Sequence, residues 1–202
     1  MNGHKWFAAI YDRMNRLDGT EKFLAKHRPY VAGEAEGTVL EVGAGTGANF
    51  PYFKKDAKVT AIEPDPYMFE RAKKRLAELG LEHIKLVQHP AEQLPFDDSS
   101  FDHVVSSMVF CSVRDPQRAL AEVKRVLKSG GSFRFIEHVR SGGRFGGRLQ
   151  DFIQPVWSWF GAGCHPNRRT LQSIEQAGLQ VEEVQRLRHS MVPVVVGVAR
   201  PK

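Results

Sequence analysis

From residue 38 onward, short runs of apolar and β-branched residues alternate with stretches in which apolar residues recur every three or four positions. The short runs predict β-strands, and the longer spacing predicts helices that pack against them. The predicted strands cover residues 38–42, 58–62, 84–87, 103–107, 132–136, 179–187 and 192–198. Strands that alternate with helices indicate an α/β fold, Rossmann-like and doubly wound, with a mostly parallel seven-stranded sheet. No helix separates the last two strands, so we expect them to form an antiparallel C-terminal hairpin.

The clearest helix is predicted over residues 66–79. Asp65 can cap its first turn, and Pro66 suits the first helical position. Gly80 fits the stop at its C-terminal end. A second helix opens at Asp115 by the same device. Its apolar face and the glycines expected to follow it are Leu120, Val123, Leu127 and Gly130-Gly131.

The strongest chemical signal is the run VLEVGAGTG, residues 39–47, which joins the first strand to a glycine-rich loop. Gly43, Gly45 and Gly47 allow a tight turn and a close approach of a ligand to the backbone. Glu63 stands at the end of the second strand, about 20 residues after Gly43, where a carboxylate can accept hydrogen bonds from ribose hydroxyls. The pattern predicts a cofactor that contains a nucleoside.

Two classes of cofactor fit this loop. Gly43, Gly45 and Ala48 also satisfy the G-x-G-x-x-A pattern of dinucleotide sites. Glu41 distinguishes the two classes, because a carboxylate beside the loop repels a pyrophosphate and attracts the ammonium and sulfonium groups of S-adenosyl-L-methionine. We therefore expect S-adenosyl-L-methionine as the cofactor.

Composition excludes several classes of protein. The apolar fraction of 42% is enough for a sizeable core, and the net charge of +6 is mild. The sequence has no basic run of five or more residues, so we expect no nucleic-acid partner. Its two cysteines, Cys111 and Cys164, exclude a disulfide-rich scaffold and a four-cysteine zinc site. With no apolar run long enough for a signal peptide or a membrane span, we expect a cytoplasmic location.

The runs VLEVGAGTG, AIEPD, AEQLPFDDSSFDHVV and VLKSGG resemble class I S-adenosylmethionine-dependent methyltransferases, more narrowly the ubiquinone/menaquinone-biosynthesis type of methyltransferase domain. The runs MVFCSV, FIEHV, LQD and GCHPNR resemble a narrower group, the methyltransferase-like proteins whose animal members are thiol S-methyltransferases. The resemblance implies methylation of a small, apolar acceptor, with a thiol favoured. Alternatives are methylation of a quinone precursor or a phospholipid head group, and a non-catalytic protein that binds S-adenosylmethionine or nucleic acid.

The resemblance also implies roles for individual residues. Gly43, Gly45 and Gly47 would pass beneath the methionine and ribose parts of the cofactor, Glu41 would orient its ammonium, and Glu63 would hold its ribose. The other cofactor-binding residues that it implies are Tyr11 as a lid aromatic, Pro64 and Met68 near the adenine, Ala91 and Glu92 where the family usually has an adenine-binding aspartate, and Ser106, Ser107 and Met108 near the sulfonium.

In-line methyl transfer requires a nucleophile aligned with the departing sulfur. A thiol is partly ionised near neutral pH, whereas a phenol or alcohol needs a base. His138 and His165 are the candidate bases, because imidazole titrates near neutral pH; the alternative for each is a structural hydrogen bond to the backbone. Glu137 is a candidate to orient either histidine. Cys111 and Cys164 could in principle form a zinc site with His138 and His165. Only Cys164 and His165 are close in sequence, and adjacent ligands chelate a metal poorly, so we expect no metal site.

The length predicts a single methyltransferase domain over residues 1–202. Its expected parts are N-terminal lid helices (1–37), a cofactor-binding core (38–139), a substrate lid insertion (140–167), and a C-terminal helix and hairpin (168–202). The aromatic stretch 152–160 has three interpretations: a lid over an apolar substrate, plain core, or peripheral membrane contact through residues 145–160. The acceptor and the oligomeric state stay open.

Overall fold

The seven predicted strands form one sheet. A computed structural model describes residues 19–160, 163–187 and 192–202. The strands are β1 (Thr38–Val42), β2 (Lys58–Ile62), β3 (Ile84–Val87), β4 (Phe101–Ser107), β5 (Leu127–His138), β6 (Leu179–Leu187) and β7 (Val194–Pro201). Their order is β3-β2-β1-β4-β5-β7-β6. Strands β1 to β5 pair in parallel, and β7 pairs antiparallel with both β5 and β6. This confirms the Rossmann-like sheet and its antiparallel C-terminal hairpin.

Four of the five α-helices in the described residues lie between strands, and the first precedes β1. They are α1 (Thr20–Ala25), α2 (Pro66–Leu79), α3 (Pro116–Val126), α4 (Arg144–Phe160) and α5 (Thr170–Gln176), with a π-helical turn at Pro29–Gly33 and a 3₁₀ turn at Phe50–Tyr52. The ends of α2 confirm the predicted caps. The Asp65 carboxylate accepts hydrogen bonds from the backbone N–H groups of Tyr67 and Met68, and Gly80 ends the helix at φ +62°.

Two boundaries around α3 differ from the prediction. Leu127 is not on the face of the helix but begins β5, with an extended backbone at φ −72° and ψ 135°. Gly130 and Gly131 lie inside this strand rather than in a loop after the helix. The pairing of β4 with β5 shifts register between Phe101 and His103, which absorbs the extra residues of β5. The helical spacing of apolar residues extends to Leu127 by chance, because β5 begins directly after α3 without an intervening turn.

Both faces of the sheet are covered by apolar side chains. Along β1, Leu40 and Val42 belong to one core cluster and Val39 belongs to the other. Glu41 shares the face of Val39, because side chains alternate along a strand. The parallel register aligns the carboxyl ends of β1, β2, β4 and β5 at one edge of the sheet. Ligands of open α/β sheets bind at this edge.

Helix α4 lies within the predicted insertion and exposes an apolar face. The residues of this face are Phe145 (82% exposed), Leu149 (41%), Phe152 (83%) and Val156 (63%). The plain-core interpretation of the aromatic stretch is therefore wrong for Phe152, and the lid and membrane-contact interpretations stay predictions. Among the described residues, no helix has the length and apolar character to cross a membrane.

Candidate active site

The glycine loop after β1 is open where a cofactor would lie. Gly43, Gly45 and Gly47 all have positive φ, at +67°, +58° and +79°. A Cβ atom at Gly47 would collide with the ring of Phe50, so packing requires that glycine. A Cβ atom at Gly45 would meet nothing within 4 Å. Gly45 therefore borders free space at the carboxyl edge of the sheet, as a cradle for a ligand requires.

Glu63 closes the other side of this cradle. Its Oε2 accepts a hydrogen bond from the backbone N–H of Gly45 at 2.7 Å, and its Oε1 accepts one from Asp65 at 2.8 Å. Burial raises the pKa of Glu63 to about 7, although the Asp65 and Gly45 hydrogen bonds act in the opposite direction. A carboxylate has roughly four lone-pair positions, so each oxygen keeps room for a ribose hydroxyl.

Glu41 is buried beside the loop, with one oxygen left without a partner. Its Oε1 accepts a hydrogen bond from the side-chain amide of Asn49 at 2.8 Å, and its Oε2 has no hydrogen-bond partner in the described part of the chain. Burial raises the pKa of Glu41 to about 8, although the hydrogen bond from Asn49 and the positive charge of Arg28 act in the opposite direction. A buried acceptor without a partner is rare in proteins. This oxygen fits a cationic donor such as the ammonium of S-adenosylmethionine.

Two residues that the sequence reasoning missed hold Glu41 in place. The Asn49 side-chain oxygen accepts a hydrogen bond from Nη1 of Arg28 at 2.5 Å, and both residues are buried. Asn49 also donates to the hydroxyl of Ser107 at 3.0 Å. A polar amide two residues after Gly47 was a signal for Asn49. Nothing local marks Arg28, because it reaches the site only through the fold.

The end of β4 supplies the next side of the site. Ser106 is fully buried and donates to Oε1 of Glu137 at 2.9 Å, which turns its side chain away from Ser107 and Asn49. Met108 adopts φ +60°, a strained backbone for a residue other than glycine.

Burial raises the pKa of Glu137 to about 7. Glu137 also accepts hydrogen bonds from the N–H groups of Val109 and Phe110, so it anchors the loop after β4.

The residues predicted near the adenine differ in their burial and in their hydrogen-bond partners. Met68 is buried at the start of α2, and the carbonyl of Pro64 accepts a hydrogen bond from the side chain of Gln88 at 3.4 Å. Ala91 packs into a core cluster. The carboxylate of Glu92 accepts the backbone N–H of Arg114 at 3.0 Å, so it already has a structural partner. Tyr11 lies outside the described residues.

The two candidate bases have different environments. Nδ1 of His165 lies 2.6 Å from the carbonyl oxygen of Gly163, a structural hydrogen bond. Nδ1 of His138 lies 3.7 Å from Sγ of Cys164, and the ligand atoms of Cys111, His138 and Cys164 all lie within 4.8 Å of one another. Hydrogen bonds from Cys111 and from Trp157 lower the pKa of Cys164. Both cysteines are free thiols.

A glycine loop between two buried carboxylates, at the carboxyl edge of a doubly wound sheet, defines the class of Rossmann-like methyltransferases. Residues 40–135 match the family model described as "Methyltransferase domain". The chain is also 31% identical over 198 residues to thiol S-methyltransferase TMT1A of Homo sapiens, a match that covers 96% of this chain and 80% of the relative. This chain therefore belongs to the methyltransferase family that contains the TMT1 thiol S-methyltransferases.

Further comparisons agree with this family and this fold. The chain is 40% identical over 153 residues to thiol S-methyltransferase TMT1B of Rattus norvegicus, which covers 74% of this chain and 62% of that relative. The match thus spans less than two thirds of the TMT1B length. A solved SAM-dependent methyltransferase from Aquifex aeolicus superimposes with a TM-score of 0.68 at 21% identity, over 97% of each chain. At that identity the likeness shows the fold alone.

Replacing Gly45 with alanine should weaken binding of S-adenosylmethionine about fivefold or more. A methyl group in a fitted site costs about 1 kcal/mol or more. Gly80→Ala is a matched control, because Gly80 also has positive φ with nothing within 4 Å of its Cβ position but lies at the far end of α2. Both variants should lose about 1–2 kcal/mol of stability through their backbone strain. Calorimetric titration should show weaker binding of S-adenosylmethionine for Gly45→Ala only. Equal binding by the two variants would show that the cofactor does not contact this loop.

The raised pKa of Glu41 predicts a pH-dependent stability. The ordinary pKa of a glutamate is about 4.5, whereas burial raises the pKa of Glu41 in the folded protein to about 8. Between these values the folded protein holds a proton that the unfolded chain has lost, so this group's contribution to stability falls as pH rises, by at most about 1.4 kcal/mol per pH unit. Glu41→Gln lacks this titration. Urea unfolding from pH 5 to 8 should show the variant gaining stability relative to the wild type; a constant difference contradicts the assignment.

Proposed function

We propose that this protein is an S-adenosylmethionine-dependent methyltransferase that methylates the sulfur of a small, apolar thiol. The observation that carries the cofactor assignment is the buried, unpartnered Oε2 of Glu41 beside the open face of Gly45. The thiol acceptor is supported by the names of the TMT1A and TMT1B relatives and by the weakly polar side chains at the ends of β4 and β5.

The chain's own residues would hold the cofactor from three sides. Glu63 would accept hydrogen bonds from the ribose hydroxyls, and Oε2 of Glu41 would accept one from the ammonium group. Gly45 leaves room for the ligand against the backbone. When bound, S-adenosylmethionine supplies a methyl group activated by its sulfonium. The two carboxylates favour this positive charge, whereas they would repel the pyrophosphate of a dinucleotide.

The acceptor side would lie along the ends of β4 and β5. Cys111 follows β4, His138 ends β5, and Cys164 belongs to the segment before α5; the ligand atoms of these three side chains lie within 4.8 Å of one another. These side chains make a soft, weakly polar surrounding that suits a thiol better than a charged amine. Since a thiol ionises near neutral pH, the chain needs mainly to position it and to exclude water.

The exposed apolar face of α4 favours a second candidate, methylation of a phospholipid head group. Phe145 and Phe152 are more than four-fifths exposed and lie on the same side of the helix. An apolar helix face of this kind can rest on a lipid surface. A phospholipid acceptor would then approach the site from the membrane.

The proposed function is tested by methyl transfer from S-adenosylmethionine to matched acceptors. Benzenethiol and phenol share a ring and differ only in the accepting atom, and phosphatidylethanolamine vesicles supply the lipid alternative. Mass spectrometry should detect the methyl thioether of benzenethiol with an equal amount of S-adenosylhomocysteine, and little product from phenol. Product from the vesicles alone would replace the thiol by the phospholipid, and product from none of them would contradict both candidates.

A further inference from the structure

We propose that Cys111, His138 and Cys164 form a binding site for a soft divalent cation of the zinc class, with one coordination position left open. Their Sγ, imidazole nitrogen and Sγ atoms lie within 4.8 Å of one another. Two thiolates and one imidazole are a ligand set that zinc prefers. The expectation of no metal came from spacing along the chain, which does not show that the fold brings three distant residues together.

The distances suit tetrahedral coordination. Bonds of about 2.3 Å to sulfur and about 2.0–2.1 Å to nitrogen place neighbouring ligand atoms about 3.5–3.8 Å apart. Nδ1 of His138 and Sγ of Cys164 are already separated by 3.7 Å. Coordination therefore requires that distance to shorten by about 0.1–0.2 Å, and the distances to Cys111, which are at most 4.8 Å, by about 1 Å or less.

The backbone segments that carry the ligands are tied to one another. The backbone N–H of His165 donates to the carbonyl of Cys111 at 2.7 Å, and the hydroxyl of Thr170 donates to the carbonyl of His138 at 2.8 Å. Nη1 of Arg168 donates to the carbonyl of Phe110 at 2.7 Å. The loop after β4, the end of β5 and the segment before α5 are thus fixed relative to each other. Such outer contacts pre-orient metal ligands.

Charge and burial also fit a bound cation. Cys111 is 1% exposed and Cys164 is 8% exposed, while His138 is partly buried. Two thiolates balance the charge of a divalent ion, so the occupied site is neutral, as a buried site requires. Three protein ligands leave the fourth tetrahedral position for water or a substrate, the arrangement of catalytic rather than structural zinc sites.

The open position has a consequence that rests on the proposed function. An acceptor thiol would displace the water bound there, a metal–sulfur bond would form, and the S–H proton would pass to the solvent. A thiol coordinated to such a cation is deprotonated near neutral pH. The site would then both select a thiol over an alcohol and hold its sulfur beside the end of β4.

Metal binding is measured on the reduced, folded protein without cofactor. After treatment with a chelator, the protein is dialysed against Zn²⁺ or Co²⁺, and the bound metal is counted by elemental mass spectrometry. We expect one equivalent per chain, with the thiolate-to-metal absorption band in the cobalt form. Cys164→Ser and His138→Gln should bind at least about tenfold more weakly. His165→Gln is the matched control and should bind like the wild type, because its imidazole contacts Gly163 instead.

Thermal unfolding separates loss of ligands from loss of folding. Zn²⁺ should raise the melting temperature of the wild type and of His165→Gln by similar amounts, and should raise that of folded Cys164→Ser by less at the same Zn²⁺ concentration. A reduced wild type with two titratable thiols and no bound metal would overturn the site. So would equal loss of metal in His165→Gln and His138→Gln.

Benzenethiol added to the cobalt protein tests the open position. A stronger thiolate-to-cobalt band is expected, and an unchanged spectrum overturns thiol coordination. These results are distinguishable from those of the methylation assay. A metal-free protein that methylates benzenethiol at the full rate overturns activation of the thiol by the metal and keeps the proposed function. A protein that binds metal but methylates no thiol keeps the cation site and overturns the proposed function.

Discussion

Glu63→Ala should weaken binding of S-adenosylmethionine by about 10- to 150-fold. Hydrogen bonds to a charged group contribute about 1.5–3 kcal/mol, and the substitution removes the carboxylate that faces the ribose position. It also removes the acceptor for the backbone N–H of Gly45, so the loop itself loses support. Calorimetric titration of the purified variant measures the loss directly.

Glu63→Gln is the graded control for this result. Glutamine keeps the shape of the side chain and one acceptor oxygen for the Gly45 N–H, so its affinity should lie between those of the wild type and Glu63→Ala. Thermal unfolding of both variants checks that the fold is intact. A folded Glu63→Ala protein with undiminished affinity would show that the acidic residue of this cofactor site is not Glu63.

Glu41→Gln should weaken S-adenosylmethionine binding by about 10- to 150-fold at pH 8 and above, where the wild-type carboxyl is ionised. The loss comes from charge rather than from shape. Glutamine can still accept the hydrogen bond from Asn49, which holds the side chain in place. It presents no negative charge to the ammonium group. The same variant should be the more stable apoprotein at pH 8, because it buries no carboxylate there.

Opposite effects on stability and binding distinguish this prediction from a packing defect. A packing defect lowers both the melting temperature and the affinity, whereas Glu41→Gln should lower the affinity alone. Glu78→Gln is a suitable control, because Glu78 pairs with Lys74 on the exposed side of α2, outside the proposed site. Glu41→Gln binding as tightly as the wild type would mean that the partner of Oε2 is not the cofactor.

The fold was predictable because its local signals agree with one another. The bounds of β1, β2, β3, β6 and α2 follow from apolar runs, caps and the glycine stop, and the structure reproduces them. The prediction for Leu127 was wrong because its helical spacing continues the apolar face of α3, and nothing in the local sequence shows that a strand begins there. The long β5 needs a register shift against β4, and this pairing is not visible in either strand alone.

The site was predictable only where one segment contains its chemistry. Glu41, Gly45 and Glu63 stand at fixed spacings along the single segment from β1 through the glycine loop to the end of β2, so the sequence marks them. Arg28 reaches Asn49 from a separate segment, and the sequence has no local mark for that contact. The grouping of the two cysteines with His138 likewise depends on three segments, which adjacent-residue spacing cannot describe.

We propose that the two buried carboxylates, Glu41 and Glu63, make the glycine loop a site for S-adenosylmethionine rather than for a dinucleotide. Parallel calorimetric titrations of the wild-type protein with S-adenosylmethionine and with NADH test it most directly. We expect one S-adenosylmethionine bound per chain and no detectable NADH binding. Tight binding of NADH without binding of S-adenosylmethionine would contradict the electrostatic assignment of the loop and the methyltransferase function built on it.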